Sequence, residues 1–482
     1  MRGGRLLAAL LLSPASLRAQ SPVVIRVDVD SVANVIDPHD ALGAGVDGHG
    51  RGTVDAIYTP ANIRAMRDVG FSRLTYRLRT ELGVEAWHWN PVGRWSDSAH
   101  AQGYWTSDST SARPIMLSHG YRLPRRGNTI DQAENAGYSR LDDGDTASFW
   151  KSNPYLDHRF TGESDARHPQ VVIVDLARPT DVTAIQVAWG APYATSYRIQ
   201  YWRGEPARDP DENPDGKWVT FPGGAESAGT GGLERRTLSP RPIRARFVRI
   251  VMSASSGTAL PGSRDPRDSS GYAIREIWLG QLDQAGAFHD AMRHGKSRTT
   301  QTLTFASSTD PWHRATDIDL DLEQPGFDLV QQSGLAEGRG AMIPVGILFD
   351  TPENGANALR YLRARGVPVE RVELGEEPDG QYATPEDVAE LYRRFADALA
   401  AVDTALTLGG PSFQGLSTRV QFAWPNDTAG APWMARFLAD LQAHAALGTF
   451  RFLSFEWYPY DDICGRTAPQ LAEAPERLRE AL

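Results

Sequence analysis

The sequence predicts a multidomain α/β plus β protein: a TIM-type (β/α) barrel, incomplete, interrupted by an antiparallel β-sandwich. Three observations predict it. Strands alternate with amphipathic helices at the start of the chain and again through its last third, the pattern of a parallel sheet covered by helices. Short β runs divided by Gly, Pro and Asp turns fill the stretch between, the pattern of a sandwich. The alternation reaches six strands before Leu482, short of a closed barrel. The 482 residues allow such nesting, because one domain needs roughly 100 to 200 and a sandwich whose ends lie close together fits within one βα loop.

Met1–Gln20 reads as a signal peptide, with residues 1–19 as the removable leader. Arg2 and Arg5 form a basic n-region, Leu6–Leu12 an apolar h-region, and Ala15 or Ala19 a cleavage point. This predicts a secreted or periplasmic protein. No later apolar stretch approaches the ~18 residues of a membrane span, so no membrane anchor is expected. The barrel opens in residues 23–110, with strand one at Ala41–Asp47, a helix at Pro60–Val69 closed by Gly70, and strand two at Ser72–Leu78. The sandwich, 124–281, holds runs at Val171–Asp175, Val182–Ala188, Ser196–Trp202, Trp218–Phe221, Arg246–Met252 and Ile274–Leu279, with exposed loops at Asp209–Asp215 and Gly223–Gly232. The barrel resumes in residues 285–482, starting with a helix at Phe327–Ser333 and strand three at Met342–Phe349. Helix Pro352–Arg365, strand four Val369–Leu374, helix Pro385–Val402 with Thr384 as N-cap, strand five Ala405–Gly409, helix Pro432–Ala445 and strand six Phe450–Phe455 follow.

Composition excludes several function classes. Apolar residues are 41% and charged ones 23%, proportions of a folded chain. Fifty basic against sixty acidic residues leave a net charge of -10, which offers no electrostatic footprint for nucleic acid. The one cysteine, Cys464, excludes an intrachain disulfide or a thiolate metal cluster. Thirteen Trp and fifteen Tyr suit sugar faces as well as cores.

LDDGDTASFW, Leu141–Trp150, bunches carboxylates and carbonyls in one turn, as a hard cation with six to eight oxygen ligands requires. An acidic turn capped by its own backbone uses the same residues. VVIVDL (Val171–Leu176), RARFVRI (Arg244–Ile250) and IREIWLG (Ile274–Gly280) follow in order. Together the four blocks resemble the discoidin domain, also called the coagulation factor 5/8 type C domain, a galactose-binding-like jelly roll. The resemblance implies a structural Ca2+ near Asp143, Asp145, Ser148 and Glu276, with Ser148 where the family commonly has Thr. It also implies sugar binding by rim aromatics, for which Trp150, Tyr155 and Tyr193 are candidates.

VELGEEPDG, Val372–Gly380, ends strand four with a glycine turn and two adjacent carboxylates, where a barrel carries its catalytic groups. Gly-Glu-Glu-Pro-Asp resembles the Asn-Glu-Pro motif of clan A glycoside hydrolases in its GNEPD form. That resemblance implies that Glu377 is the acid/base of a retaining mechanism. Glu376 departs from it: it stands at the usual Asn position, where the side chain donates to a sugar hydroxyl, and a carboxylate only accepts unless protonated. Two neighbouring carboxylates also raise the pKa of one of them.

Other segments supply candidate substrate contacts. YRLRTE, Tyr76–Glu81, ends strand two with Arg77 and Glu81, and Trp87, His88 and Trp89 follow as stacking surfaces. His49 follows strand one, and Gln414 follows strand five in LGGPSFQG. LSFEWYPYDD, Leu453–Asp462, resembles the clan's sixth strand and places Glu456 and Tyr458 in the cleft. If Thr299–Ala306 were an additional early strand, Glu456 would instead be the seventh-strand nucleophile. The histidines His119, His158 and His168 are too scattered for zinc. The residues together predict an exported glycoside hydrolase with a carbohydrate partner, no catalytic cofactor and a sugar-binding discoidin domain. The alternative is a non-catalytic carbohydrate-binding or adhesion protein, or an inactive hydrolase fragment whose discoidin domain supplies the function.

Overall fold

The structure, a computed structural model, describes residues 44–45, 50–69, 74–75, 87–121, 138–207, 214–297, 299–308, 311–335, 341–381, 383–415, 422–424, 431–456, 476 and 479. The leader, His49, Arg77, Glu81, Tyr458 and Cys464 lie outside the described residues.

Six strands form one sheet: Ala44–Gly45, Leu74–Thr75, Ala341–Val345, Val369–Leu374, Thr407–Phe413 and Phe452–Phe455. Every pairing is parallel, and spatial order equals chain order. A doubly wound sheet reverses its order at a switch point; this one runs in a single direction. Its strands are the six expected, although the first two are only two residues long and MIPVGILF is strand only as far as Val345. Leu303–Ala306 pairs with Gln170–Val182 in the sandwich, so Thr299–Ala306 adds no strand here and, among the described residues, Phe452–Phe455 is the sixth.

Three covering helices share a start. Thr59-Pro60, Thr351-Pro352 and Thr384-Pro385 each place a threonine at the N-cap, its hydroxyl accepting from the backbone N–H of Asn62, Asn354 or Asp387 at 3.1 to 3.2 Å. Each cap is worth about 1 kcal/mol, and proline at the first helical position loses no needed donor. Helix Pro385–Ala400 buries Val388, Leu391, Tyr392, Phe395, Ala396 and Leu399, one stripe at 3.6-residue spacing, against Leu374, Leu408 and Phe413 of the sheet.

The sandwich has two antiparallel sheets. One runs Gly216–Glu226, Ala194–Gly204, Ile243–Ser255, Gln170–Val182, Leu303–Ala306; the other runs Leu233–Thr237, Ala184–Trp189, Ala273–Leu282, Phe288–Asp290, with Trp150–Lys151 beside Ala273–Leu282. The sheets therefore continue past 281, where the sequence placed the end. Gly223–Glu226, expected as loop, extends a strand by pairing with Tyr197 and Arg198. Alternation divides each central strand: Val172, Val174, Val248 and Ile250 face the core between the sheets, whereas Val171, Ile173, Phe247 and Val251 face outward into a second apolar cluster. Strands that read as continuous apolar runs are thus buried on both faces.

Two small antiparallel sheets were not legible in the sequence. Gly93–Asp97, Gln102–Ser107 and Trp312–Arg314 form one, and Trp87–His88, Leu117–Tyr121 and Ile318–Pro325 the other. Each joins chain from before the sandwich to chain from after it. His88 and Trp89, expected to stack on sugar, are 5% and 2% exposed. Across the two sheets His88 Nε2 meets His313 Nε2 at 2.6 Å, beside Trp95 and Trp105. His313 Nδ1 lies 2.8 Å from the Pro311 carbonyl, which only accepts. The proton is therefore on Nδ1, and His313 Nε2 accepts from His88.

The sandwich docks on the helices of the parallel sheet. His168 Nδ1 is 2.7 Å from Asp387 Oδ1, Gln170 donates to Asp387 Oδ2 at 3.2 Å, and the Tyr155 hydroxyl donates to Glu353 at 2.9 Å. Among the described residues no helix is long and apolar enough to cross a membrane.

Candidate functional site

The C-terminal ends of strands three to six meet around the two adjacent glutamates. Gly375 (φ 98°) turns the chain out of Val369–Leu374, and its N–H donates to the Val345 carbonyl at 2.9 Å. A Cβ at Gly375 would sit in the left-handed region and 3.0 Å from Pro411. Glu376 and Glu377 follow, each 5% exposed. Glu377 takes φ 44° and Ser412, on the next strand end, φ 56°. Left-handed backbone costs an L-residue with a Cβ about 1 to 2 kcal/mol and concentrates at functional sites.

Hydrogen bonds tie these ends together. The Glu377 N–H donates to the Ser412 carbonyl at 3.0 Å, and the Glu456 N–H to the Phe413 carbonyl at 2.7 Å. Asp379 accepts from the N–H groups of Gln414 and Gly415 at 2.8 and 3.0 Å, and the Ser454 hydroxyl accepts from the Ser412 N–H at 2.9 Å. Glu376, Glu377, Gln414 and Glu456, distant in sequence, thus share one end of the sheet. Asp379, which locks the turn of strand four to the loop of strand five, was not among the candidate residues read from the sequence. The EPD motif contains it, and a buried carboxylate facing a glycine-rich loop is the signal that could have found it.

The acidic turn is a second grouping. Asp143 accepts from the Asp145 N–H at 2.9 Å and from the Ser148 hydroxyl at 2.7 Å; Glu276 Oε1 accepts from the Gly144 N–H at 3.1 Å. Burial raises the pKa of Asp143 and of Glu276, and pushes neighbouring Asp142 up to about 8. Asp142 Oδ2 and Glu276 Oε2 are buried without a hydrogen-bond partner among the described residues. Orphaned acceptors beside hard oxygen donors fit a hard cation. Two protein cations also reach the turn: His294 Nδ1 lies 2.5 Å from Glu276 and Lys296 2.7 Å from Asp145. Burial disfavours the His294 charge, but the Asp290 and Glu276 carboxylates outweigh it and push the imidazole up to about 10.

A cavity of about 430 Å3 opens between the sandwich and the hairpin Gly93–Ser107. Asp97, His100, Gln102, Lys151, Arg264 and Trp312 line it, both charge signs beside an indole. Lys151 is held by the carbonyls of Arg267 and Ser270 at 2.9 and 2.7 Å, and the Arg267 guanidinium stacks 4.1 Å from the ring of Tyr104. These contacts preform the walls. The aromatics expected at the rim lie elsewhere: Trp150 and Tyr155 are 1% and 3% exposed in cores, and Tyr193 packs half-buried against the sandwich interior.

Residues 127–264 match the family model of the F5/8 type C domain. The sandwich and its acidic turn carry that match. Among solved structures the chain is similar to chitosan-binding module 1 of a chitosanase/glucanase from Paenibacillus sp. IK-5, at 24% identity and TM-score 0.22 over 30% of this chain and 83% of that one. It is similar to the family 32 CBM from C. perfringens NanJ in complex with galactose, at 17% identity and TM-score 0.20 over 29% and 82%. A glucosidase from Croceicoccus marinus is similar at 20% identity and TM-score 0.23, over 30% of this chain and 31% of that one. No curated protein matches the chain.

Proposed function

We propose that this protein is an exported glycoside hydrolase of the (β/α)-barrel type that carries a carbohydrate-binding F5/8 type C sandwich. One observation carries the reading. Two adjacent buried carboxylates, Glu376 and Glu377, the second on left-handed backbone, stand at the C-terminal end of the fourth strand of a parallel sheet in sequential order. Glu377 acts as acid, protonating the leaving glycosidic oxygen while a second, nucleophilic carboxylate bonds the anomeric carbon, and then as base, taking a proton from the water that displaces that carboxylate. Glu376 and Gln414 bind substrate hydroxyls. Glu456, at the end of the sixth strand, is a subsite acid. His49, Arg77, Glu81 and Tyr458 complete the substrate contacts on the motif resemblance alone, and Met1–Gln20 directs export.

Asp143, Asp145, Ser148 and Glu276 would hold a structural Ca2+, which supplies charge compensation for the turn. The cavity beside Trp312 takes a saccharide, since its volume lies in the small-molecule range of about 300 to 1,000 Å3 and its walls mix hydrogen-bond donors and acceptors. A second reading, a non-catalytic carbohydrate-binding protein, is favoured by one fact: the family match falls on the sandwich and not on the parallel sheet. Hydrolysis of a panel of aryl glycosides by the wild type and by Glu377→Gln separates the two. Turnover lost in the variant supports the hydrolase; equal rates, or no turnover by the wild type on any glycoside, leave the binding protein.

A further inference from the structure

The outward face of the five-stranded sheet is apolar, and the residues that cover it come from a distant stretch of the chain. Phe422 and Ala423, between strand Thr407–Phe413 and helix Trp433–Ala443, are 0% and 1% exposed there. The Phe422 ring stands edge-on to Trp202 at 4.3 Å and lies 5.1 Å from both Trp218 and Phe247. Two consecutive carbonyls are gripped as well. Trp218 Nε1 donates to the Phe422 carbonyl at 3.2 Å, and Arg249 Nη1 to the Ala423 carbonyl at 2.5 Å. Arg249 is itself fixed, 4.4 Å above the Trp218 ring and donating to Gln200 at 2.8 Å. A ring in an aromatic box plus two main-chain bonds is how a protein surface holds a peptide.

The held peptide belongs to the loop that leaves the cleft. The same loop begins at Gln414 and Gly415, both bonded to Asp379 beside Glu377. One end of the crossover is therefore fixed at the glutamate turn and a second point on the sandwich. We propose that Phe422 is a positioning residue: the sandwich grips Phe422–Ala423 as an internal peptide and so holds the crossover after the fifth strand, with Gln414, against the Glu376–Glu377 turn. The inserted domain on this view is a scaffold for the cleft as well as a binding module. For its kinetic consequence the proposal rests on the glycosidase reading.

The test uses the full chain with Phe422→Ala, Phe422→Leu and Trp218→Phe, the last removing the indole donor and shrinking the ring while keeping an aromatic side chain. Hydrogen–deuterium exchange should rise in Phe422→Ala both across 410–431 and across 376–381, with Tm within a few degrees of wild type. KM for the aryl glycoside should rise about tenfold while kcat changes less, since a displaced positioning loop loses substrate orientation. Phe422→Leu should recover most of both effects, and Trp218→Phe should show a smaller rise in exchange. Exchange at 376–381 that stays at the wild-type level in Phe422→Ala overturns the proposal. So does raised exchange with an unchanged KM in a chain that turns substrate over. In a chain that hydrolyses nothing, the coupled rise at 376–381 still supports the tether, so failure of the glycosidase reading is told apart from failure of this one.

Discussion

Glu377 donates its backbone N–H to the carbonyl of Ser412 at 3.0 Å, and both residues hold left-handed backbone at the ends of neighbouring strands. The bond couples the two strained residues, so main chain from two strands helps to place the Glu377 side chain. Glu377→Gln keeps that main chain. The expected outcome is an unchanged Tm with a loss of about 10²- to 10⁴-fold in kcat, the usual worth of a general acid/base. A large fall in Tm would show that the carboxylate is structural.

The buried His88–His313 pair makes stability depend on acid. Burial, then the facing His313 and His119, lower His88 well below the usual value; burial pushes His313 down to about 4 against the Pro311 carbonyl and Asp317, with Arg140 adding to the fall. Below the unfolded value of 6.5 the unfolded chain binds protons that the folded chain excludes, so stability is full above that pH and falls as pH drops towards 4. His313 alone contributes about 3 kcal/mol to the loss, at 1.36 kcal/mol per pKa unit. Tm measured from pH 8 to 4.5 should fall less steeply in His313→Gln than in wild type; parallel curves would remove the pair as the cause.

Calcium should stabilise the acidic turn. A ligand at one hundred times its Kd adds about 2.7 kcal/mol, so millimolar Ca2+ should raise Tm over an EDTA control by several degrees. Asp143→Asn and Glu276→Gln should abolish the rise. An unchanged Tm in wild type would mean that His294 and Lys296 already neutralise the turn.

The cavity beside Trp312 should report on sugars by tryptophan fluorescence. Titration of Glu377→Gln with galactose, glucose, cellobiose, lactose and chitobiose should give saturable binding to at least one. His100→Ala with Arg264→Ala, both exposed side chains, should weaken it about tenfold, or 1.4 kcal/mol. Binding untouched by the double variant would place the sugar elsewhere.

Much of this was legible from residues alone because period and punctuation are local. Three Thr-Pro pairs start helices, VELGEEPDG ends a strand in a turn, and the strand count of the parallel sheet follows from alternation. The two small sheets were not legible, since Trp87–His88 and Ile318–Pro325 are joined to a common sheet only after the sandwich brings its two ends together. The exposure of an aromatic was not legible either: Trp150, Tyr155 and Trp89 carry the same residue types as a sugar platform, and only packing shows that they lie in cores.

By itself, then, the sequence determined the order of the parallel strands and their helices, the nesting of a sandwich within a parallel α/β chain, and the positions of the acidic turn and the glutamate pair, because each is encoded within a few consecutive residues. The tertiary structure decided which of these distant pieces touch. It set Asp379 against Gln414, His88 against His313 and Phe422 against Trp218, contacts between residues whose separation along the chain leaves no periodic trace. Long-range packing is set by the shapes of whole surfaces, and no short window of sequence contains a surface.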